Sequence, residues 1–245
     1  MNNKIYKLVM ENLTEALNLP KYDEIRNQLC KDTVVNALPL TPARLTKLKN
    51  KLENTLSVPF NIDAGTVEQI VNDLDIKYSG MFFGEIWKPQ TEIYGYTGWQ
   101  LVEEVNRLNP RAVLDVGCGY NQFKGRINNL IGIDPYNNCA DYMVDILEFS
   151  AVDESYDAII ALGSINFNSK QDIEARIANC VKMLAANGKM FFRVNPGIQH
   201  VKGPWVDVFA WSFEVAHEFA KKFNLSLDEF KKDANNRLYF VYTKL

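Results

Sequence analysis

Val113-Leu-Asp-Val-Gly-Cys-Gly-Tyr-Asn121 is the stretch on which the fold turns. Its apolar run carries Asp115 near the end and breaks at Gly117 and Gly119. Glycine reaches backbone angles closed to other residues and lets the chain approach a ligand with no side chain between. Paired glycines where a strand turns into a helix form a cradle for a nucleotide-like ligand. A second apolar run, Leu130-Ile-Gly-Ile133, ends in Asp134, 19 residues after Asp115. A carboxylate at the tip of a second strand, at that spacing, can accept hydrogen bonds from both hydroxyls of a ribose.

The details of the turn separate one ligand from another. The dinucleotide fingerprint G-x-G-x-x-G needs a third small residue at position 122, where Gln122 is too bulky for close helix-to-strand contact. NAD is therefore disfavoured. Asp115 two places before Gly117, with Gly119 following and Asn121 in the place of a third glycine, resembles motif I of the class I S-adenosylmethionine (SAM) dependent methyltransferases. Asparagine tolerates left-handed backbone angles better than other non-glycine residues. Further segments resemble the same family in the same order. Asp134 matches the acidic end of the second strand, and Asp141-Tyr-Met-Val-Asp145-Ile146 matches the segment that holds adenine. Tyr156-Asp-Ala-Ile-Ile-Ala-Leu162 matches the fourth strand. Asn187-Gly188 with Lys189-Met-Phe-Phe-Arg193 matches the turn and fifth strand.

This resemblance runs from Tyr94 to Leu245. It implies an α/β fold: a Rossmann-like seven-stranded sheet with helices on both faces, the last strand antiparallel, and ligands at the carboxyl ends of the strands. It implies SAM as cofactor and methyl transfer as the activity. By the same resemblance Asp115, Gly117, Cys118, Gly119 and Asn121 form the cofactor turn, Asp134 and Pro135 adjoin the ribose, and Asp145 and Ile146 adjoin adenine. Tyr96 is expected to swing onto the cofactor. The family's helix between the first two strands usually runs about a turn longer than residues 121–129 allow, and Gly125 lies inside them.

The first 76 residues have a different pattern. Ile5, Leu8, Val9, Leu13 and Leu17, then Ile25, Leu29, Val34 and Leu38, recur at helical spacing, punctuated by Pro20, Pro39, Pro42 and Pro59. The pattern predicts a small all-α domain with helices over Lys4–Asn18, Tyr22–Ala37, Thr41–Ser57 and Ala64–Leu74. Thr41 is the expected N-cap, with Pro42 at the first helical position, and the third and fourth helices are expected to pack as a pair. Residues 38–76 also resemble the later helices of acyl carrier proteins, but Leu38-Pro39-Leu40 has no hydroxyl where that family carries its phosphopantetheine serine. The resemblance therefore implies shape and not carrier function. A protein partner for this domain and a helical cap over the catalytic domain are both open. Residues 77–93 are an aromatic-rich linker or lid leading into the 94–245 domain. With Tyr78, Phe82, Phe83, Trp87, Tyr94, Tyr96 and Trp99 in and beside it, this stretch is too aromatic for a flexible tether.

At 245 residues, 47% hydrophobic and 23% charged, the chain can bury a full α/β core beside a smaller unit. A net charge of −3 with no long basic run disfavours nucleic acid as partner. Cys30, Cys118, Cys139 and Cys180 are scattered, with no histidine at ligand spacing, so no metal site is expected. No signal peptide or run of 18 apolar residues is present, which predicts a cytoplasmic protein without a membrane segment. Of the two histidines, His200 follows the expected fifth strand and is the candidate general base. Gly163-Ser-Ile-Asn-Phe167, Arg193, Trp205 and Trp211 are the other acceptor-side candidates, and the Asn/Asp-Pro-Pro-aromatic motif of the amino-group DNA methyltransferases is absent. The acceptor is a small molecule or a protein. A non-catalytic SAM-binding or interaction protein on the same fold is the alternative.

Overall fold

A computed structural model of the protein describes residues 1–17, 41–60, 66–88, 98–233 and 235–245. The expected helix over Tyr22–Ala37 lies outside the described residues, as do Tyr94 and Tyr96. The chain divides into two compact units. Met1–Ile86 together with His200–Asp207 form the first, and Trp87–Gln199 together with Val208–Leu245 form the second.

The first unit contains α1 (Asn3–Leu17), α2 (Pro42–Leu56) and α3 (Val67–Met81), the last running on into a π-helical turn, Phe82–Ile86. Each helix begins where its sequence provides a cap. Asn2 Oδ1 accepts from the amides of Lys4 and Ile5 at 3.0 and 3.1 Å. Thr41 accepts from the Arg44 amide with Pro42 in the first turn, and Thr66 and Gln69 form a reciprocal capping box. Both α2 and α3 pack against α1, not chiefly against each other as expected. Ile5, Leu8, Val9, Met10 and Leu13 of α1 are buried, so this helix supplies the central apolar surface. Residues 76 and 77, where a boundary is expected, are consecutive residues of α3.

The segment His200–Asp207 is built into this unit by polar bonds. Asn2 Nδ2 donates to Asp75 Oδ1 at 2.8 Å and to the Trp205 carbonyl at 2.9 Å. Lys4 Nζ reaches the Val206 carbonyl at 3.0 Å, and Asp207 accepts from the Asn3 amide at 2.9 Å. Gly203 lies so close to Phe82 that a Cβ there would stand 2.6 Å from the ring.

The second unit is a six-stranded sheet with helices on both faces. After α4 (Trp99–Arg107) come β1 (Val113–Val116), β2 (Leu130–Ile133), β3 (Tyr156–Leu162), α5 (Lys170–Met183), β4 (Leu184–Val194), α6 (Phe213–Lys222), β5 (Leu225–Lys232) and β6 (Leu238–Lys244). The spatial order is β2-β1-β3-β4-β6-β5, with the first four strands parallel and β6 antiparallel to β4. Side chains alternate across the sheet. Leu114, Ile159, Phe192, Phe240 and Tyr242 pack on one face with Ile173 and Ile177 of α5 and Phe219 of α6. Val113, Ala158, Ile160, Phe191 and Val241 pack on the other with Leu101 and Val105 of α4.

Two expectations are corrected. Six strands are found among the described residues where seven are expected, because residues 141–145 make only a single parallel bridge, Tyr142 to Ile133. The Asp141 carboxylate takes the Gly132 amide at 2.8 Å, so a side chain does what a backbone ladder would do in a full strand. The helix expected over residues 121–129 is replaced by turns, because Asn121, Gly125 and Asn129 all take positive φ (+53°, +76° and +55°) and each interrupts a right-handed helix. Among the described residues no helix is long and apolar enough to cross a membrane.

Candidate functional site

The site is assembled at the carboxyl ends of β1 and β2. The amides of Gly117 and Cys118 both donate to the Ile133 carbonyl, at 2.8 and 3.0 Å, which folds the glycine turn down onto β2. Gly117 and Gly119 take φ of +68° and +54°. A Cβ on Gly117 would stand 2.2 Å from Ser164 Cβ, so only glycine fits. Gly132 serves the same end from β2, since a Cβ there would meet Asn121 Oδ1 at 2.6 Å and Cys118 Sγ at 2.8 Å.

Carboxylates line this turn. Asp115 is buried, and that burial, with the Asp134 charge beside it, pushes its pKa up to about 7. Asp134 accepts from the Gly119 amide at 3.0 Å through Oδ2 and from the Tyr136 amide at 2.8 Å through Oδ1. Burial works against the charge on Asp141, but the Gly132 amide, Lys124 and Asn121 hold its carboxyl below the usual range. Burial, then Asp115, Asp134 and Asp141, push the Cys118 thiol upward, which leaves it protonated and unsuited to act as a nucleophile. Two buried polar atoms at the turn, Asn121 Oδ1 and Ser164 Oγ, have no hydrogen-bond partner in the protein. Trp87 stands over Gly119, 3.8 Å from where its Cβ would lie, and Lys88 Nζ donates to Tyr120 Oη at 2.9 Å.

The sheet order and the parallel β1-β2-β3-β4 core with an antiparallel end have counterparts among solved structures. The 1,6-didemethyltoxoflavin-N1-methyltransferase of Burkholderia thailandensis, crystallised with 1,6-didemethyltoxoflavin and S-adenosylhomocysteine, is 13% identical with a TM-score of 0.54, over 69% of this chain and 85% of that one. The N-methyltransferase NodS of Bradyrhizobium japonicum WM9, in complex with S-adenosylhomocysteine, is 17% identical with a TM-score of 0.52, over 69% and 98%. The PH0226 protein of Pyrococcus horikoshii OT3 is 15% identical with a TM-score of 0.51, over 67% and 96%. The fold is that of the class I SAM-dependent methyltransferases. No protein-family model matches the chain, and no curated protein matches it in sequence.

On this methyltransferase fold the structure brings Asp115, Gly117, Cys118, Gly119, Asn121 and Asp134 together around one turn, with Pro135 next in the chain. Asp145 is held at the next turn, where Oδ1 caps the Leu147 amide at 2.9 Å and Oδ2 meets Arg176 at 3.2 Å. The Ile146 side chain is buried in the sheet core, and its carbonyl accepts from Asn179. Tyr96 lies outside the described residues. His200 belongs to the first unit, its ring 5.7 Å from that of Phe82, and not to the unit that carries the glycine turn. Asp141, Lys124, Trp87 and Ser164 were not among the expected cofactor residues. Asp141 stands at the start of the quoted adenine segment, whereas nothing in the sequence marks Ser164 as the neighbour of Gly117.

Proposed function

We propose that the protein is a SAM-dependent methyltransferase acting on a small-molecule or protein acceptor. The observation that carries this reading is the glycine turn lined with three carboxylates, Asp115, Asp134 and Asp141. Carboxylates repel the phosphates of a dinucleotide and attract hydroxyls and positive charge. SAM offers both, in its ribose, its amino group and its sulfonium. The chain's groups therefore fit the cofactor. When bound, SAM supplies an electrophilic methyl group.

Asp134 binds the ribose hydroxyls through the lone pairs left beside the Gly119 and Tyr136 amides. The open face of Gly117 and Gly119 lets the ligand lie against backbone, and Asn121 holds the turn against Gly132. Asp145 and the backbone of Ile146 border adenine, and Trp87, which stands over Gly119, covers the ligand and excludes water. The protein's further task is to align the acceptor's nucleophile with the methyl group and receive a proton where one is released. His200 is the proposed proton acceptor. The alternative, a protein that keeps the cofactor site without turnover, is favoured by one observation: residues 121–129 form turns where a helix would present its N-terminus.

Calorimetric titration with SAM and S-adenosylhomocysteine tests the reading. Micromolar binding that Asp134→Ala weakens at least tenfold is the expected result. No binding by folded, cofactor-free protein would overturn it, and binding without methyl transfer to any acceptor would favour the alternative.

A further inference from the structure

At the carboxyl ends of β3 and β4 lies a polar group that the cofactor turn does not use. Asn166 is 4% exposed. Its Oδ1 accepts from the Asn195 amide at 2.8 Å, and its own carbonyl accepts from the Phe209 amide at 2.8 Å. Because Oδ1 is fixed by a backbone donor, the other end of the carboxamide is Nδ2, with two N–H groups to place. Among the described residues no protein acceptor bonds to Nδ2. The atom is not sealed from solvent, so it pairs with water or with a ligand oxygen and needs an open space in which to do so.

The backbone beside it offers one. Gly163 follows β3 with φ of +96°, and a Cβ built there would find only one atom within 4 Å, Asn166 Nδ2 at 3.9 Å. Space is therefore open over Gly163, with an unpaired donor at its wall. The residue after Gly163 is Ser164, which packs on Gly117 of the cofactor turn. Asn195 is itself locked, its Oδ1 accepting from the amides of Gly197 and Ile198 at 3.0 and 2.6 Å and its Nδ2 donating to the Ile198 carbonyl at 2.8 Å. The bond from its backbone thus holds Asn166 in one orientation. Directed donors fixed by surrounding structure are how a pocket selects one acceptor chemistry over another.

We propose that Asn166 is an acceptor-binding residue: its Nδ2 donates to a carbonyl or carboxylate oxygen of the methyl acceptor, seated against Gly163. The inference rests on the methyltransferase reading and narrows its acceptors to compounds that carry such an oxygen beside the methylated atom. An amine without one leaves Nδ2 unpaired and binds poorly.

The test follows the side-chain amide of Asn166 by nitrogen-15 NMR, assigned by its disappearance in Asn166→Asp. Acetate and acetamide are titrated as oxygen probes and ethylamine as control, with and without saturating S-adenosylhomocysteine. The expected result is a shift of the Asn166 cross-peaks with both oxygen probes and none with ethylamine. Asn166→Asp keeps an acceptor for the Asn195 amide but loses the donor. It should weaken acetate at least tenfold while S-adenosylhomocysteine affinity stays within twofold. Unmoved cross-peaks, or a response to ethylamine equal to that for acetate, would overturn the proposal. So would acetate binding to folded Asn166→Asp at wild-type strength. Failure of S-adenosylhomocysteine to bind the wild-type protein would instead count against the cofactor reading, and the probe shifts without it are read independently. If Asn166→Asp does not fold, the side-chain amide is assigned by through-bond correlation to the Asn166 backbone, and the wild-type shifts decide.

Discussion

The two halves of the sheet are built by different means. From β3 to β5 the strands are joined through capped helices: α5 begins with a Ser169–Asp172 capping box, α6 with Ser212, and Trp211, Phe219, Phe192, Phe240 and Tyr242 form a continuous aromatic core between sheet and helices. Between β1 and β3, residues 117–155 contain one four-residue strand and no helix. There the chain is held by left-handed asparagines and by carboxylates bonded to backbone amides: Asp134 to Gly119 and Tyr136, Asp141 to Gly132, Asp145 to Leu147. Parallel strands usually need a helical crossover to bury the sheet face. Here Phe123 and Ile127, borne on turns, fill that role over the α4 side. One half thus derives its order from buried apolar area and the other from directed polar bonds, and the polar half carries the proposed cofactor turn.

If that contrast is right, cavities should matter most in the aromatic half. Trp211→Ala removes a 2% exposed ring and its bond from Nε1 to the Ile165 carbonyl, and should cost about 3–5 kcal/mol in denaturant unfolding. The polar half should respond to pH instead. Asp115 holds its proton to about pH 7 when folded but releases it near 3.8 when unfolded. The folded state therefore binds more protons across that window, and stability falls as pH rises from about 4 to 7, then levels off. Asp115→Asn should lose this slope and gain on the wild type through that window, to at most about 4 kcal/mol above pH 7. A constant difference between the two proteins from pH 4 to pH 8 would contradict it. Next in size is Gly117→Ala, in which a left-handed backbone and a Cβ 2.2 Å from Ser164 Cβ combine. The expected loss is about 3 kcal/mol, read by thermal unfolding, with partial recovery when Ser164→Gly is added. The smallest effect belongs to Asn129: at φ +55°, Asn129→Gly should sit within about 0.5 kcal/mol of wild type and Asn129→Ala about 1 kcal/mol below it.

The same division governs what could be read from the sequence. β1, β2 and β3 were legible because buried parallel strands are continuous apolar runs, and the turn after β1 because glycine is the only residue that fits it. β5 was not legible: Asp228, Glu229, Lys231 and Lys232 make it polar, as suits an edge strand, and a bulge between Leu227 and Glu229 breaks its alternation. The Asn187-Gly188 turn is absorbed into β4 as an irregularity, with two steps from Tyr156 to Ala158 facing five from Leu184 to Lys189. The loss of the helix after the glycine turn is written in Asn121, Gly125 and Asn129, four residues apart, each of a type that tolerates the left-handed backbone. The candidacy of His200 rests on its distance from β4 along the chain, and its segment's place in the helical unit, held by Asn2, Asn3 and Lys4 some 200 residues earlier, is not legible from that distance. Asn166 shows the same limit at the acceptor side, since its partner Asn195 lies 29 residues away.

Hydrogen exchange with and without S-adenosylhomocysteine tests most directly whether the polar half is the cofactor site. Binding should slow exchange at residues 117–121 and 134–147 while leaving α5, α6 and β6 unchanged. Binding that leaves both of those segments unprotected, or protects only the aromatic half, would contradict the account.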